Sequence, residues 1–252
     1  MQDNMRNKYP LAWLNPGDNF PPLQDAWPVG SEAPGLLAAG GDLSAPTLIR
    51  AYSSGIFPWF SLGDPVLWWS TDPRMVLEVA QFKLHRSLRK TLLQFASNPQ
   101  CEIRVDSAFA EVINACANAP RRGSVGTWIV PEMVQAYTRL HGAGYAHSIE
   151  TWINGKLAGG LYCVSIGRAV FGESMFTLQA DASKIALAAL VALCRQREIS
   201  LVDCQQNTSH LASLGASEMP RSEFLRRTQA AICQEAGPWD FTPLYWAEIL
   251  GN

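Results

Sequence analysis

The second half of the chain has the most regular pattern of apolar and polar positions. Three segments alternate in the manner of strands: 147–153, 157–166 and 169–176. Asn154-Gly155 and Gly167-Arg168 separate them and predict tight turns, so the three strands should form an antiparallel meander. An apolar helix is predicted over 182–196 with Asp181 as its cap, and a strand over 199–204 follows it.

The first half alternates less regularly. Residues 1–34 are rich in Pro, Asn, Asp and Gly, so we expect an irregular segment with at most one short strand. The glycine-rich segment 35–44 lacks the Gly-Lys-Ser/Thr ending of a phosphate loop and predicts a tight turn before a helix capped by Ser44. Asp106 or Ser107 should cap a later helix. The other predicted elements are strands 65–70, 74–79 and 101–105, and helices 44–54, 84–96, 107–118, 131–141, 208–214 and 221–234.

The order of elements predicts an α+β protein of two parts. Asp72-Pro73 breaks a strand pattern, so we expect a small N-terminal domain over 1–72 and a catalytic domain over 73–252. A meander followed by a crossover helix and one more strand is the core order of acetyltransferase-like (GNAT-like) mixed-sheet domains. The segment 177–184 lacks the glycines of an acyl-CoA pyrophosphate loop, and Asp181 would repel that anion. An acyl donor other than CoA is therefore favoured.

Composition narrows the class further. A net charge of −2 gives no general signal for a nucleic-acid partner, so any such contact must be a local patch. The longest apolar run, 185–194, is about half of what a spanning helix needs, and no signal peptide is visible, so we expect no membrane role. The six cysteines form no Cys-x-x-Cys pair, which predicts free thiols in a reducing cytoplasm and no metal site.

A candidate polar site lies at the end of one strand. Asp203 and Gln205 should point to one face of their strand, near Glu173 on a neighbouring strand. A carboxylate and an amide in an apolar setting could position a substrate, or they could satisfy only the neighbouring backbone. Both interpretations remain open from the residues alone.

A second candidate is a basic helix face. Cations recur there at helical spacing, and they suit either a solvated surface or a phosphate-binding patch: Lys83, Arg86, Arg89 and Lys90. Arg121 and Arg122, in a basic linker over 119–126 that we expect to be mobile, are weaker candidates for the same contact.

Nine short blocks, in this order, resemble the bacterial leucyl/phenylalanyl-tRNA–protein transferase family. They are Gly40-Gly41-Asp42-Leu43, Gly55-Ile56-Phe57-Pro58-Trp59-Phe60, Trp68-Trp69-Ser70, Gly126-Thr127-Trp128, His147-Ser148-Ile149-Glu150, Phe171-Gly172-Glu173-Ser174-Met175-Phe176, Ala182-Ser183-Lys184, Asp203-Cys204-Gln205 and Ser213-Leu214-Gly215-Ala216. The resemblance covers roughly residues 35–221. It implies transfer of Leu or Phe, and less readily Met, from aminoacyl-tRNA to proteins with N-terminal Arg or Lys, which marks them for N-degron-dependent degradation. It also implies that no cofactor and no metal takes part.

The resemblance also implies roles for individual residues. Gln205 would offer its side-chain carbonyl to the incoming amine, and Asp203 would orient it. Glu173 would bind an amino group or basic acceptor residue, or be a structural partner of Gln205. The remaining implied contacts are Trp59 and Trp128 on the 3′-terminal adenosine, Leu161, Met175 and Leu190 in the amino-acid pocket, Gly172 and Ser174 beside it, and the four cations of the basic helix on acceptor-stem phosphates.

Two other functions remain as alternatives. One is a CoA-dependent N-acyltransferase on the same scaffold, which the missing pyrophosphate loop disfavours. The other is a non-catalytic module that recognises basic N-termini and delivers them to a protease. The expected partners are aminoacyl-tRNA and an acceptor protein, and the protein itself is expected to be a monomer.

Overall fold

The computed structural model describes residues 9–119 and 129–251. Within these ranges the strands are β1 Ala12–Leu14, β2 Leu36–Gly40, β3 Phe57–Pro58, β4 Leu67–Trp69, β5 Arg74–Glu78, β6 Cys101–Val105, β7 Ala146–Ile153, β8 Lys156–Ile166, β9 Ala169–Thr177, β10 Leu201–Gln205 and β11 Ser217–Met219. The helices are α1 Ala45–Ser53, α2 Arg86–Ser97, α3 Phe109–Asn118, α4 Pro131–Gly142, α5 Ala182–Gln196, α6 Ser209–Ser213, α7 Arg221–Ile232 and α8 Ala247–Leu250. The protein is therefore a mixed α+β structure with a separate N-terminal sheet.

The N-terminal sheet has the order β1-β2-β4-β3. The prediction of a turn over the whole segment 35–44 was wrong, because residues 36–40 are buried and pair with both β1 and β4 as strand β2. The turn is confined to its end, where Gly40 and Gly41 have positive φ. Ser44 caps α1 as predicted, since its side chain accepts a hydrogen bond from the Thr47 amide.

The main sheet has the order β11-β5-β10-β9-β8-β7-β6. Strands β7, β8 and β9 form the predicted antiparallel meander, and α5 connects β9 to a parallel β10. Strand β5 pairs antiparallel with the other side of β10. Strand β11 was not predicted, because three mostly exposed residues carry no periodic signal.

Helix α5 is apolar on every side and buried along most of its length. Gly159 of β8 lets its first turn approach the sheet, because a Cβ on that glycine would lie 2.6 Å from the Cβ of Ala182. Helix α5 packs in one hydrophobic cluster on one side of the main sheet. A second cluster joins the N-terminal sheet and α1 to α3, α4 and the other side of the main sheet. Side chains of the N-terminal part therefore reach the strands of the main sheet.

Two predicted helix caps were wrong. Asp106 and Ser107 do not cap α3, whose cap position is Ala108, because their side chains bind His147, Ser148 and Glu150 instead. Asp181 occupies the cap position of α5 without capping it, since its carboxylate lies 2.8 Å from the Lys184 ammonium. In both cases a nearby partner takes the carboxylate or hydroxyl that the backbone would otherwise use.

All six cysteines are free, and Cys163 and Cys194 are buried in the core. Burial raises the pKa of the Cys194 thiol to about 12, so it packs as a small apolar group. Among the residues described, no helix has the length and apolar character to cross a membrane. The same residues contain no cluster of His, Cys, Asp and Glu suited to a metal ion.

Candidate active site

Two β-bulges lie at the candidate site, one in the middle of β9 and one at the end of β10. The pairing of β8 with β9 shifts register between Tyr162 and Cys163, which leaves Glu173 as the extra residue. The pairing of β10 with β5 shifts between Asp203 and Gln205, so the residue between them is extra. A bulge changes the direction in which nearby side chains point. The simple alternation that was predicted to place Asp203 and Gln205 on one face is therefore interrupted.

Glu173 is the centre of a hydrogen-bonded cluster. Its Oε1 accepts from the Tyr52 hydroxyl at 2.6 Å and from the Gln205 Nε2 at 3.4 Å, and its Oε2 accepts from the Tyr137 hydroxyl at 3.3 Å. The two tyrosine hydroxyls also lie within hydrogen-bond distance of each other, so their two protons are shared among three contacts. Four elements, α1, α4, β9 and β10, thus hold one carboxylate in place.

This environment changes the ionisation of the cluster. Burial raises the pKa of Glu173 to about 7, and the Asp203 charge adds to this effect, while the two tyrosines and Arg74 oppose it. Burial, and then the charge of Glu173, hold the pKa of Tyr52 well above its usual range, and burial does the same for Tyr137. At neutral pH both hydroxyls are therefore protonated, while Glu173 exchanges between its charged and neutral forms.

Asp203 is paired with a buried arginine. The Arg74 Nε lies 2.8 Å from Asp203 Oδ1 and its Nη2 lies 2.7 Å from Oδ2, and both side chains are almost completely inaccessible. Asp203 Oδ1 also accepts a hydrogen bond from the Gln205 backbone amide at 2.9 Å. Asp203 thus binds a neighbouring backbone N–H, as one of the two interpretations expected. It also forms a bidentate ion pair with Arg74.

The residues predicted for an amino-acid pocket meet on one side of the sheet. Leu161 of β8 is directly opposite Met175 of β9, and Leu161 packs in the same hydrophobic cluster as Leu190 of α5. Leu161 and Leu190 are 3% and 1% exposed, whereas Met175 is half-buried. Gly172 lies against β10, because a Cβ there would lie 3.4 Å from the Asp203 carbonyl oxygen. Ser174 is half-buried beside Glu173.

Trp59 lies at the surface, with 37% of its area exposed. The centroids of the Trp59 and Trp69 rings lie 5.3 Å apart. The Trp69 indole N–H donates to the Trp59 backbone carbonyl at 2.6 Å. Trp128 lies outside the described residues, as do Arg121 and Arg122. A cleft of about 430 Å³, not predicted from the sequence, lies between the loop after Trp59 and one side of α4.

The four predicted phosphate contacts are all exposed. Lys83 precedes α2, and Arg86, Arg89 and Lys90 lie on it, while the other side of the helix buries apolar residues against the core. One of the four is tied down, because the Arg89 guanidinium donates to the Leu250 carbonyl at 2.6 Å. The described surface therefore presents a basic helix face in the expected place.

Three residues of the cluster were not identified from the sequence. Arg74 opens an apolar strand and resembles an ordinary flanking cation, although a charge directly before Met75-Val76-Leu77 is a weak signal of a buried partner. Tyr52 and Tyr137 occupy apolar helix positions, where a tyrosine is typical of core packing.

Comparisons with known proteins define the class. The family model described as leucyl/phenylalanyl-tRNA protein transferase matches residues 76–229, and the model of the N-terminal domain of the same family matches residues 41–72. These matches identify the chain as a transferase enzyme.

Relatives extend the match over nearly the whole chain. Proteins named leucyl/phenylalanyl-tRNA–protein transferase from a Polaromonas species and from Albidiferax ferrireducens are 64% and 59% identical, each over 96% of this chain and over 94% and 95% of their own lengths. The chain belongs to the leucyl/phenylalanyl-tRNA–protein transferase family. A solved structure of unknown function from Staphylococcus epidermidis matches with a TM-score of 0.36 and 9% identity, over 73% of this chain and 68% of its own.

Proposed function

We propose that this enzyme transfers Leu or Phe, and less readily Met, from aminoacyl-tRNA to the α-amine of proteins that begin with Arg or Lys. The product would be marked for N-degron-dependent degradation in the cytoplasm. The observation that carries the proposal is the contact between the Gln205 side-chain amide and the Glu173 carboxylate, at the bulges of two neighbouring strands. Family membership supplies the reaction class, and this contact supplies a place for the amine.

The reaction needs positioning more than strong acid–base catalysis. An aminoacyl ester is already activated, but an α-amine with a pKa near 8 is mostly protonated at neutral pH. Since Gln205 Nε2 is directed to Glu173, the carbonyl oxygen of the same amide faces away and can accept a hydrogen bond from the amine. Glu173, whose pKa lies near 7, can stabilise the ammonium form as it arrives.

The acyl group, the terminal adenosine and the acceptor stem of one aminoacyl-tRNA would contact three different parts of the protein. We expect the acyl side chain to bind against Leu161, Met175 and Leu190, an apolar cluster that suits Leu, Phe or Met rather than a β-branched side chain, because Met175 can adapt to each shape. The exposed ring of Trp59 could stack on the terminal adenine, with Trp128 as a second ring, and stacking contributes about 1–3 kcal/mol per base. The basic side of α2 would bind the acceptor-stem phosphates.

We also propose the domain division 1–72 and 73–252 and an acetyltransferase-like (GNAT-like) catalytic domain. The separate N-terminal sheet and the meander–helix–parallel strand order support this assignment. CoA is not the proposed donor, because the start of α5 carries the Asp181–Lys184 ion pair where acyl-CoA enzymes need uncovered amides for pyrophosphate. The proposed enzyme acts as a monomer without a metal or cofactor.

The test is a transfer assay with a panel of acceptors. Labelled leucine should move from charged tRNA to peptides that begin with Arg or Lys, and not to an N-acetylated or Asp-starting version of the same peptide. Peptide binding without transfer would favour a recognition module. Tight binding of acetyl-CoA by calorimetry, with transfer of its acetyl group, would instead favour a CoA-dependent enzyme.

A further inference from the structure

The backbone of Gln205 has a conformation that its neighbours must enforce. Its φ is +55°, in the left-handed region that residues other than glycine rarely adopt. Such a conformation persists when surrounding groups hold it, and it is concentrated at functional sites.

The two polar backbone groups of Gln205 are each held by a side chain. Its N–H donates to Asp203 Oδ1 at 2.9 Å, and its carbonyl accepts from the Thr71 hydroxyl at 3.0 Å. Thr71 belongs to the segment between the two sheets, and Asp203 belongs to β10. Gln205 is therefore fixed between these two parts of the chain.

Arg74 fixes Asp203 in turn. Two of its nitrogens bind the two carboxylate oxygens, and its Nη1 donates to the Gly55 carbonyl at 3.2 Å. The guanidinium lies between the Phe57 and Phe224 rings, 4.7 Å from each centroid. The planar guanidinium fits between the two rings in one orientation. A lysine ammonium cannot reproduce its bidentate contact with Asp203.

We infer that Arg74 and Thr71 are positioning residues that aim the Gln205 amide at the acceptor amine, Arg74 through Asp203 and Thr71 directly. This inference rests on the proposed function for its catalytic consequence. Neither residue touches the reacting atoms. Asp203 has both oxygens engaged by Arg74 and one also by the Gln205 N–H, so it acts on Gln205 by fixing its backbone.

Two variants test the inference with steady-state transfer kinetics. Thr71→Val replaces the hydroxyl by a methyl group. Arg74→Lys keeps a positive charge beside Asp203 but loses the bidentate contact. We expect kcat to fall by up to about 10²-fold in Arg74→Lys, and by less in Thr71→Val, with KM for both substrates little changed. The matched controls are Thr138→Val and Arg226→Lys. The Thr138 hydroxyl donates to the Val134 carbonyl, and the Arg226 guanidinium donates to both carboxylate oxygens of Glu223 at the surface. Both controls should transfer at the wild-type rate.

A second measurement does not depend on activity. Hydrogen exchange of the Gln205 backbone N–H, followed by ¹⁵N NMR, should be faster by about tenfold or more in Arg74→Lys. The backbone N–H groups of α5 should keep their wild-type exchange rates. An unchanged exchange rate of the Gln205 backbone N–H would overturn the positioning role of Arg74. This outcome does not depend on the proposed function, because exchange can be measured even if the wild type transfers nothing to Arg- or Lys-starting peptides. Wild-type kcat in both variants, or an equal loss of kcat in the controls, would overturn the catalytic consequence.

Discussion

Replacing Glu173 by glutamine should stabilise the protein at alkaline pH. The native pKa of about 7 lies above the ordinary 4.5, so the fold favours the protonated form of Glu173. Its contribution to the free energy of unfolding is complete below about pH 4.5 and is lost as the pH rises through 7. Glutamine cannot ionise, and its carbonyl can still accept from Tyr52. The variant therefore avoids this loss.

The magnitude follows from the shift. A difference of about 2.5 pKa units at 1.36 kcal/mol per unit gives an upper value of about 3 kcal/mol, and the half-buried position of Glu173 reduces it to roughly 1–3 kcal/mol. The assay is urea unfolding of wild type and Glu173→Gln at pH 5 and pH 8.5. The advantage of the variant should be larger at pH 8.5 by this amount. Exposed Glu235→Gln is the control and should show no such difference. An advantage that is equal at both pH values, or larger at pH 5, would show that the fold does not favour the protonated form of Glu173.

Three further predictions concern the substrates. Tyr52→Phe removes the shorter tyrosine hydrogen bond to Glu173, so the acid limb of the pH–rate profile should move up by about one unit, and an unmoved limb would separate Glu173 from catalysis. Arg86→Glu combined with Lys90→Glu should weaken tRNA binding and flatten its salt dependence, and an unchanged slope would place the phosphate contacts elsewhere. Trp59→Ala should weaken binding of charged tRNA by about 1–3 kcal/mol, whereas Trp59→Phe should retain most of it, and equal losses would argue against stacking.

Local signals were sufficient to predict the middle of the main sheet. Asn154-Gly155 and Gly167-Arg168 set the meander, and the apolar run over 182–196 set the crossover helix, because turns and periodicity depend on neighbours along the chain. The proximity of Gln205 to Glu173 follows from the same reasoning, since their strands are adjacent.

The rest of the cluster depends on contacts that the chain makes over long distances. Tyr52 reaches Glu173 across 121 residues, and Arg74 reaches Asp203 across 129, so no spacing rule connects them. The bulges and the left-handed Gln205 are likewise products of packing, which no local residue preference predicts. The missed cap at Asp106 has the same origin, because Ser148, 42 residues away, binds its carboxylate, whereas Asp181 is taken by Lys184 within the same helix.

In the proposed mechanism, the Gln205 side-chain amide guides the acceptor amine onto the ester. The most direct measurement is the rate at which Gln205→Ala transfers labelled leucine from charged tRNA to an Arg-starting peptide, with the fold verified by circular dichroism. We expect a rate about 10²–10⁴-fold below wild type, with tRNA affinity retained. A folded variant that transfers at nearly the wild-type rate would contradict it.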